Sequence, residues 1–68
     1  MVYHLIIQAD KEGTANTIKL TDNSFYNVSN HISDWCNGAR ITEKDHKRLV
    51  KGQNIVIFGD KEYEIALA

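Results

Sequence analysis

Alternating polar and apolar residues predict several short β-strands in the chain. The segment 2–9 is rich in β-branched and aromatic residues, and 17–21 alternates so that Ile18 and Leu20 share one face. A polar turn over 10–13 separates these two segments. The segment 25–28, which follows the polar cluster 21–24, also has strand-forming residues and predicts a returning third strand.

The middle of the chain has the three- and four-residue spacing of helices. A short helix is predicted from Ser29 or Asn30, which are suitable N-cap residues, to the Asn-Gly pair at 37–38, where Gly tolerates a left-handed backbone. Its apolar face would be formed by Ile32, Trp35 and Cys36. We expect Trp35 to be an anchor of the core.

A second helix is predicted from Thr42 to Lys51. The Thr42 side chain can accept a hydrogen bond from the backbone of Asp45, and Gly52 favours a helix end. Leu49 is the main apolar residue of this segment, so it is expected to be buried.

The last third of the chain predicts a β-hairpin. The dense apolar run 54–58 is followed by a turn at 59–61 and by the alternating segment 62–67. The residues that face inward in that segment would be Tyr63, Ile65 and Leu67. The predicted fold is therefore an α+β domain with two short helices, in the order β-β-β-α-α-β-β, whose antiparallel five-stranded sheet is open or partly closed into a barrel.

Two of the predicted strands are apolar on both faces, which bears on function. In the first strand Ile6 points away from its apolar neighbours, and in 54–58 Val56 and Phe58 point away from the two isoleucines. Such strands are typical of sheets covered on both sides, yet two short helices cover only one. The second face is buried either by closure of a barrel or by a partner.

These patterns favour a protein-interaction module that docks through a sheet face or edge, such as an inhibitor or adaptor, and they suit a bacterial or phage accessory protein. The partner is another protein or a second copy of the chain, as in a homodimer. The residues predicted to contact this partner are Tyr3, Tyr26, Val56 and Phe58. An unpaired edge strand could accept a strand from the partner in the same way.

Length and composition limit the class of protein to which the chain can belong. The chain has 68 residues, 43% hydrophobic, with 8 Lys+Arg against 9 Asp+Glu and a formal net charge of −1. This length predicts a single domain over 1–68, and its apolar content argues against disorder. We expect neither a membrane span nor a secretory leader, and the single Cys36 suits a reducing, cytoplasmic location.

The alternative function is nucleic-acid binding or regulation through the segment Arg40–Lys51. Its basic residues, which carry the charge of this candidate site, are Arg40, Lys44, Lys47, Arg48 and Lys51. The last four recur at helical spacing and would contact phosphates along one helix face. A solvated helix also carries Lys and Arg by default, so the pattern alone is a weak indication.

Catalysis, metal binding and cofactor binding are not predicted. The residues that could ligate a metal, His4, His31, Cys36 and His46, lack a zinc-binding spacing. Cys36 with His31 or His46 is the only thiol–imidazole combination, and a Cys beside apolar residues more often packs in a core. We therefore expect a non-enzymatic protein with no catalytic residue, metal site, cofactor or small-molecule substrate.

Overall fold

The chain folds into a four-stranded antiparallel sheet with two helices packed on one face. The computed structural model describes residues 1–11 and 13–68, so Glu12, in the predicted turn over 10–13, lies outside the described residues. In chain order the elements are β1 (Tyr3–Ala9), β2 (Ala15–Leu20), α1 (Phe25–Trp35), α2 (Glu43–Val50), β3 (Ile55–Phe58) and β4 (Glu62–Leu67). The α+β class is confirmed.

The predicted third strand over 25–28 is wrong, because these residues form the first turn of α1. The Ser24 hydroxyl accepts a hydrogen bond from the Asn27 backbone N–H at 3.2 Å, which satisfies a free donor at the helix N-terminus. The apolar residues that follow lie four apart, Val28, Ile32 and Cys36, and all three are fully buried. Burial at helical spacing thus outweighs the local strand preference of Phe25 and Tyr26.

The order β-β-β-α-α-β-β is consequently corrected to β-β-α-α-β-β, with four strands where five were predicted. The sheet has the strand order β2-β1-β4-β3 and is open, so a partly closed barrel is also wrong. Its central strands β1 and β4 each have two partners, whereas β2 and β3 are edge strands.

The core lies between the sheet and the helices. The antiparallel register places Leu5 opposite both Ile18 and Leu67, and Ile55 opposite Ile65, so these side chains share one face. The buried residues of this cluster are Leu5, Ile7, Leu20, Val28, Ile32, Cys36, Ile41, Leu49, Ile55, Ile57, Tyr63 and Ile65. The inward positions predicted for β2 and β4 are thus confirmed.

Local motifs fix α2, whose predicted position is also confirmed. Thr42 and Asp45 form a reciprocal capping box in which each side chain accepts a backbone N–H of the other at 3.2 Å. The helix ends at Val50 with Lys51 as its C-cap, and Gly52 follows with a φ of 89°, in the left-handed region. The Gln53 N–H donates to the Arg48 carbonyl at 3.0 Å.

His46 links α2 to the chain segment before α1. Its Nε2–H donates to the Asn23 carbonyl at 2.6 Å, and its ring meets the Phe25 ring edge to face with centroids 5.7 Å apart. His46 therefore has a packing role in this fold. Within residues 1–11 and 13–68, neither helix has the length and apolar character needed to cross a bilayer.

Candidate interaction surfaces

The sheet face away from the helices, which we call the open face, is exposed to solvent over the residues that the structure describes. From β2 to β3 its side chains are Ala15, Thr17, Lys19, His4, Ile6, Gln8, Glu62, Glu64, Ala66, Val56 and Phe58. Phe58 is 75% exposed and Val56 is 50% exposed, although both are large apolar residues. The predicted second apolar surface is thus present on β3, whereas on β1 Ile6 lies between the polar residues His4 and Gln8.

The backbone of β3 has free hydrogen-bonding groups at Val56 and Phe58, as the pattern of the ladder shows. His4 and Ala68 exchange both backbone hydrogen bonds, at 2.7 and 2.8 Å, and the Asp10 N–H donates to the Glu62 carbonyl. Since hydrogen-bonded pairs alternate along an antiparallel ladder, the even-numbered residues of β4 bond to β1. The odd-numbered residues therefore bond to β3, through the pairs Ile55–Ile65 and Ile57–Tyr63.

It follows that the N–H and C=O groups of Val56 and Phe58 point to the free edge of the sheet, which we call the β3 edge. The same alternation places the free backbone groups of β2 at Ala15, Thr17 and Lys19. Lys19 on that strand is a charge of the kind that discourages strand pairing. The four residues of β3 are uncharged, so the β3 edge is the less protected of the two.

A shallow groove of about 460 Å³ lies on the open face over β4, between β1 and β3. It is lined by Gln8, Asp10, Lys11, Val56, Glu62 and Glu64. The Gln8 side-chain amide donates to the Gly13 carbonyl at 2.8 Å, which holds this side chain near the β1–β2 turn. The described lining residues carry three carboxylates against one lysine, so the groove suits a cationic group.

The four residues predicted to contact a partner do not lie together. Val56 and Phe58 are neighbours on the open face, whereas Tyr3 shares the inward face with Leu5 and packs against the core. Tyr26 is 79% exposed on α1, on the opposite side of the molecule. Only Val56 and Phe58 therefore form a common surface.

Tyr26 lies instead beside a residue of the alternative site. A cleft on the helical side is lined by Phe25, Tyr26, Ser29, Asn30 and Arg40. This places an exposed aromatic ring and a guanidinium in one cleft, which the linear sequence did not indicate. The other basic residues, Lys44, Lys47, Arg48 and Lys51, are exposed on α2 or at its C-cap.

Cys36, and not the neighbouring Trp35, is the residue that packs in the core. Trp35, predicted as a core anchor, is 49% exposed, whereas its neighbour Cys36 is fully buried. Val28, Ile32 and Cys36 occupy one row on α1, and the tryptophan lies beside that row. Burial raises the pKa of the Cys36 thiol to about 11, so this group is a poor nucleophile at neutral pH.

The Asp60 carboxylate links the β3–β4 turn to the loop after α1. It accepts hydrogen bonds from the Tyr63 hydroxyl at 2.6 Å and from the Asn37 side-chain amide at 2.8 Å. The Tyr63 hydrogen bond is the main cause that lowers the pKa of Asp60, and the same bond raises the pKa of Tyr63 to about 12. This pair stabilises the turn that precedes β4.

The groove itself was not predicted from the sequence. The alternation in β4 placed Glu62 and Glu64 in solvent, but only the register joins them to Val56 on β3 and Gln8 on β1. No protein family, curated protein or solved structure matches the chain in sequence or fold.

Proposed function

We propose that the protein is a non-enzymatic protein-interaction module of the inhibitor or adaptor type, which docks on a partner protein through the open face and the β3 edge. The observation that carries this proposal is the coincidence of exposed apolar side chains and free backbone groups at Val56 and Phe58. Side-chain burial contributes affinity, and backbone pairing fixes the orientation of the partner. The cytoplasmic location remains a prediction.

Site-specific photocrosslinking tests this proposal in the native cell. A benzophenone amino acid replaces Phe58 in one variant and Tyr26, an equally exposed aromatic residue on the helical side, in the matched control. We expect a discrete protein adduct from position 58, lost when Val56→Lys is added, and none from position 26. Absence of an adduct at position 58 would contradict the proposal.

Affinity measurements with the purified crosslinked protein complete the test. Phe58→Lys should weaken binding by about thirtyfold or more, since a buried aromatic anchor contributes about 2 kcal/mol or more at an interface. Tyr26→Lys should leave the affinity unchanged. If Tyr26→Lys weakened binding and Phe58→Lys did not, the contact would lie on the helices and the assignment to the open face would be overturned.

Nucleic-acid binding through the basic residues of 40–51 is a second candidate, favoured by the position of Arg40 beside Tyr26. Bases stack on aromatic side chains and guanidinium planes, while lysines along α2 contact phosphates. Lys47→Glu with Arg48→Glu should abolish binding of a single-stranded oligonucleotide. The matched charge reversals Lys19→Glu with Lys61→Glu should have a much smaller effect, and wild-type affinity should fall with added salt.

An isotherm that does not change with salt, or equal losses in the two double variants, would rule out this second function. The same Lys47→Glu and Arg48→Glu variant should leave a complex formed through the open face largely intact. The two candidate functions are therefore separable with one set of variants.

A further inference from the structure

The acidic groove lies one strand inward from the β3 edge, with Val56 between the two. We infer that the β3 edge binds an extended segment of a partner protein in which apolar residues are combined with Lys or Arg. The inference rests on the proposed function, and it specifies both the mode of docking and the class of segment recognised.

The backbone geometry favours addition of a strand. Val56 and Phe58 direct their N–H and C=O groups to the free edge, where an incoming strand would take the place of a fifth strand in the sheet. The β2 edge is a poorer template because Lys19 lies among its free backbone groups. Strand addition is therefore expected at β3.

The side chains of the open face determine what the added strand must present. Residues of that strand opposite Val56 and Phe58 would lie on the open face and contact these two apolar side chains. Glu62 and Glu64 on β4 lie two inter-strand spacings from the added strand, about 10 Å. A lysine or arginine can lay its aliphatic stem across Val56 and bring its charge to these carboxylates.

A second copy of the chain fits this surface less well. Its own β3 has the sequence Ile-Val-Ile-Phe and supplies no basic side chain. Pairing of two β3 edges would bury only four residues from each copy and leave the carboxylates of both grooves without a counter-charge. The contact would also fall well below the roughly 1,200 Å² that stable interfaces bury.

Selection from a random peptide library tests the inference on the full-length protein. The probe is a displayed library of peptides of about ten residues, the upper length of an ordinary strand. We expect the selected peptides to be enriched in Lys or Arg alternating with apolar residues. Nuclear magnetic resonance should show their largest shifts at the backbone amides of Val56 and Phe58.

Matched variants separate charge recognition from strand pairing. Glu62→Gln with Glu64→Gln should weaken the selected peptides about tenfold at low salt, whereas Asp34→Asn with Glu43→Gln, which removes two exposed acids from the helices, should not. Val56→Lys should abolish binding, and Thr17→Lys on the β2 edge should leave it intact.

Four outcomes would each overturn the inference. The selection could yield no peptides, or only peptides without basic residues. The selected peptides could shift the resonances of the helices, or the protein could self-associate through residue 58 as its concentration rises. The proposed function would survive those results if the photocrosslink at position 58 still identified a partner. If that crosslink were also absent, both the inference and the proposed function would be overturned.

Discussion

Asp60 shows how one exposed carboxylate organises its surroundings. It accepts two hydrogen bonds from residues that are far apart in the chain, Tyr63 on β4 and Asn37 after α1. Its pKa is lowered, so its contribution to stability is complete above the ordinary carboxyl value and is lost as the pH falls. The pKa of Tyr63 is raised to about 12, so the phenol's contribution is complete below about pH 10 and is lost as the pH rises toward 12.

Replacement of Asp60 tests this linkage. In Asp60→Asn the titration midpoint of Tyr63, followed at its ring carbons by nuclear magnetic resonance, should fall from about 12 toward 10. The loss of stability on acidification, measured by thermal unfolding, should also become smaller than in wild type. Asp34→Asn is the control, and an unchanged Tyr63 titration in Asp60→Asn would refute the assigned hydrogen bond.

At the scale of elements, the Ser24 hydroxyl caps the start of α1. Ser24→Ala removes the hydroxyl that accepts the Asn27 N–H and should lower the free energy of unfolding by about 1 kcal/mol. Chemical denaturation measures this loss. Ser29→Ala, a change of the same size inside the helix, should be close to neutral because alanine favours helix interiors. Equal effects of the two changes would show that Ser24 is not the cap.

The predictability of each element followed from how local its determinants are. The helix α2 and the strand β4 could be predicted because the Thr42 capping motif and the alternation of 62–67 are visible within a few residues. The start of α1 could not, because Phe25 and Tyr26 prefer strands locally and the burial of Cys36 depends on packing against the sheet.

The candidate site, like the fold, was predictable only where its determinants are local in sequence. That Val56 and Phe58 point away from Ile55 and Ile57 followed from alternation within one strand. The groove did not, since it requires the register of three strands that are remote in sequence. Likewise, the presence of Tyr26 and Arg40 in one cleft depends on how the helical segments pack together.

For the molecule as a whole, the sheet predicts an alternating pattern of amide hydrogen exchange. In β3 the amides of Ile55 and Ile57 should exchange slowly because they bond to β4, whereas those of Val56 and Phe58 should exchange quickly. The central strands β1 and β4 should retain the greatest protection. Slow exchange at Val56 and Phe58 in a dilute sample would contradict the free β3 edge.

The two candidate surfaces lie on opposite sides of the molecule. The sheet separates the open face from α1 and α2, so a variant on one side leaves the packing of the other unchanged. Substitutions more than about 7–10 Å apart without shared partners usually act independently. Combined variants of Phe58 and Lys47 should therefore show additive effects on any function that uses both sides.

Burial of Cys36 has a practical consequence for spectroscopy. The chain contains one Cys, and its thiol is shielded beneath α1. A maleimide dye or nitroxide directed to a cysteine introduced at position 58 would consequently react there alone in the native protein, giving a homogeneous sample without removal of the natural residue. A spectroscopic reporter can thus be placed on the open face, the proposed docking surface, with a single substitution.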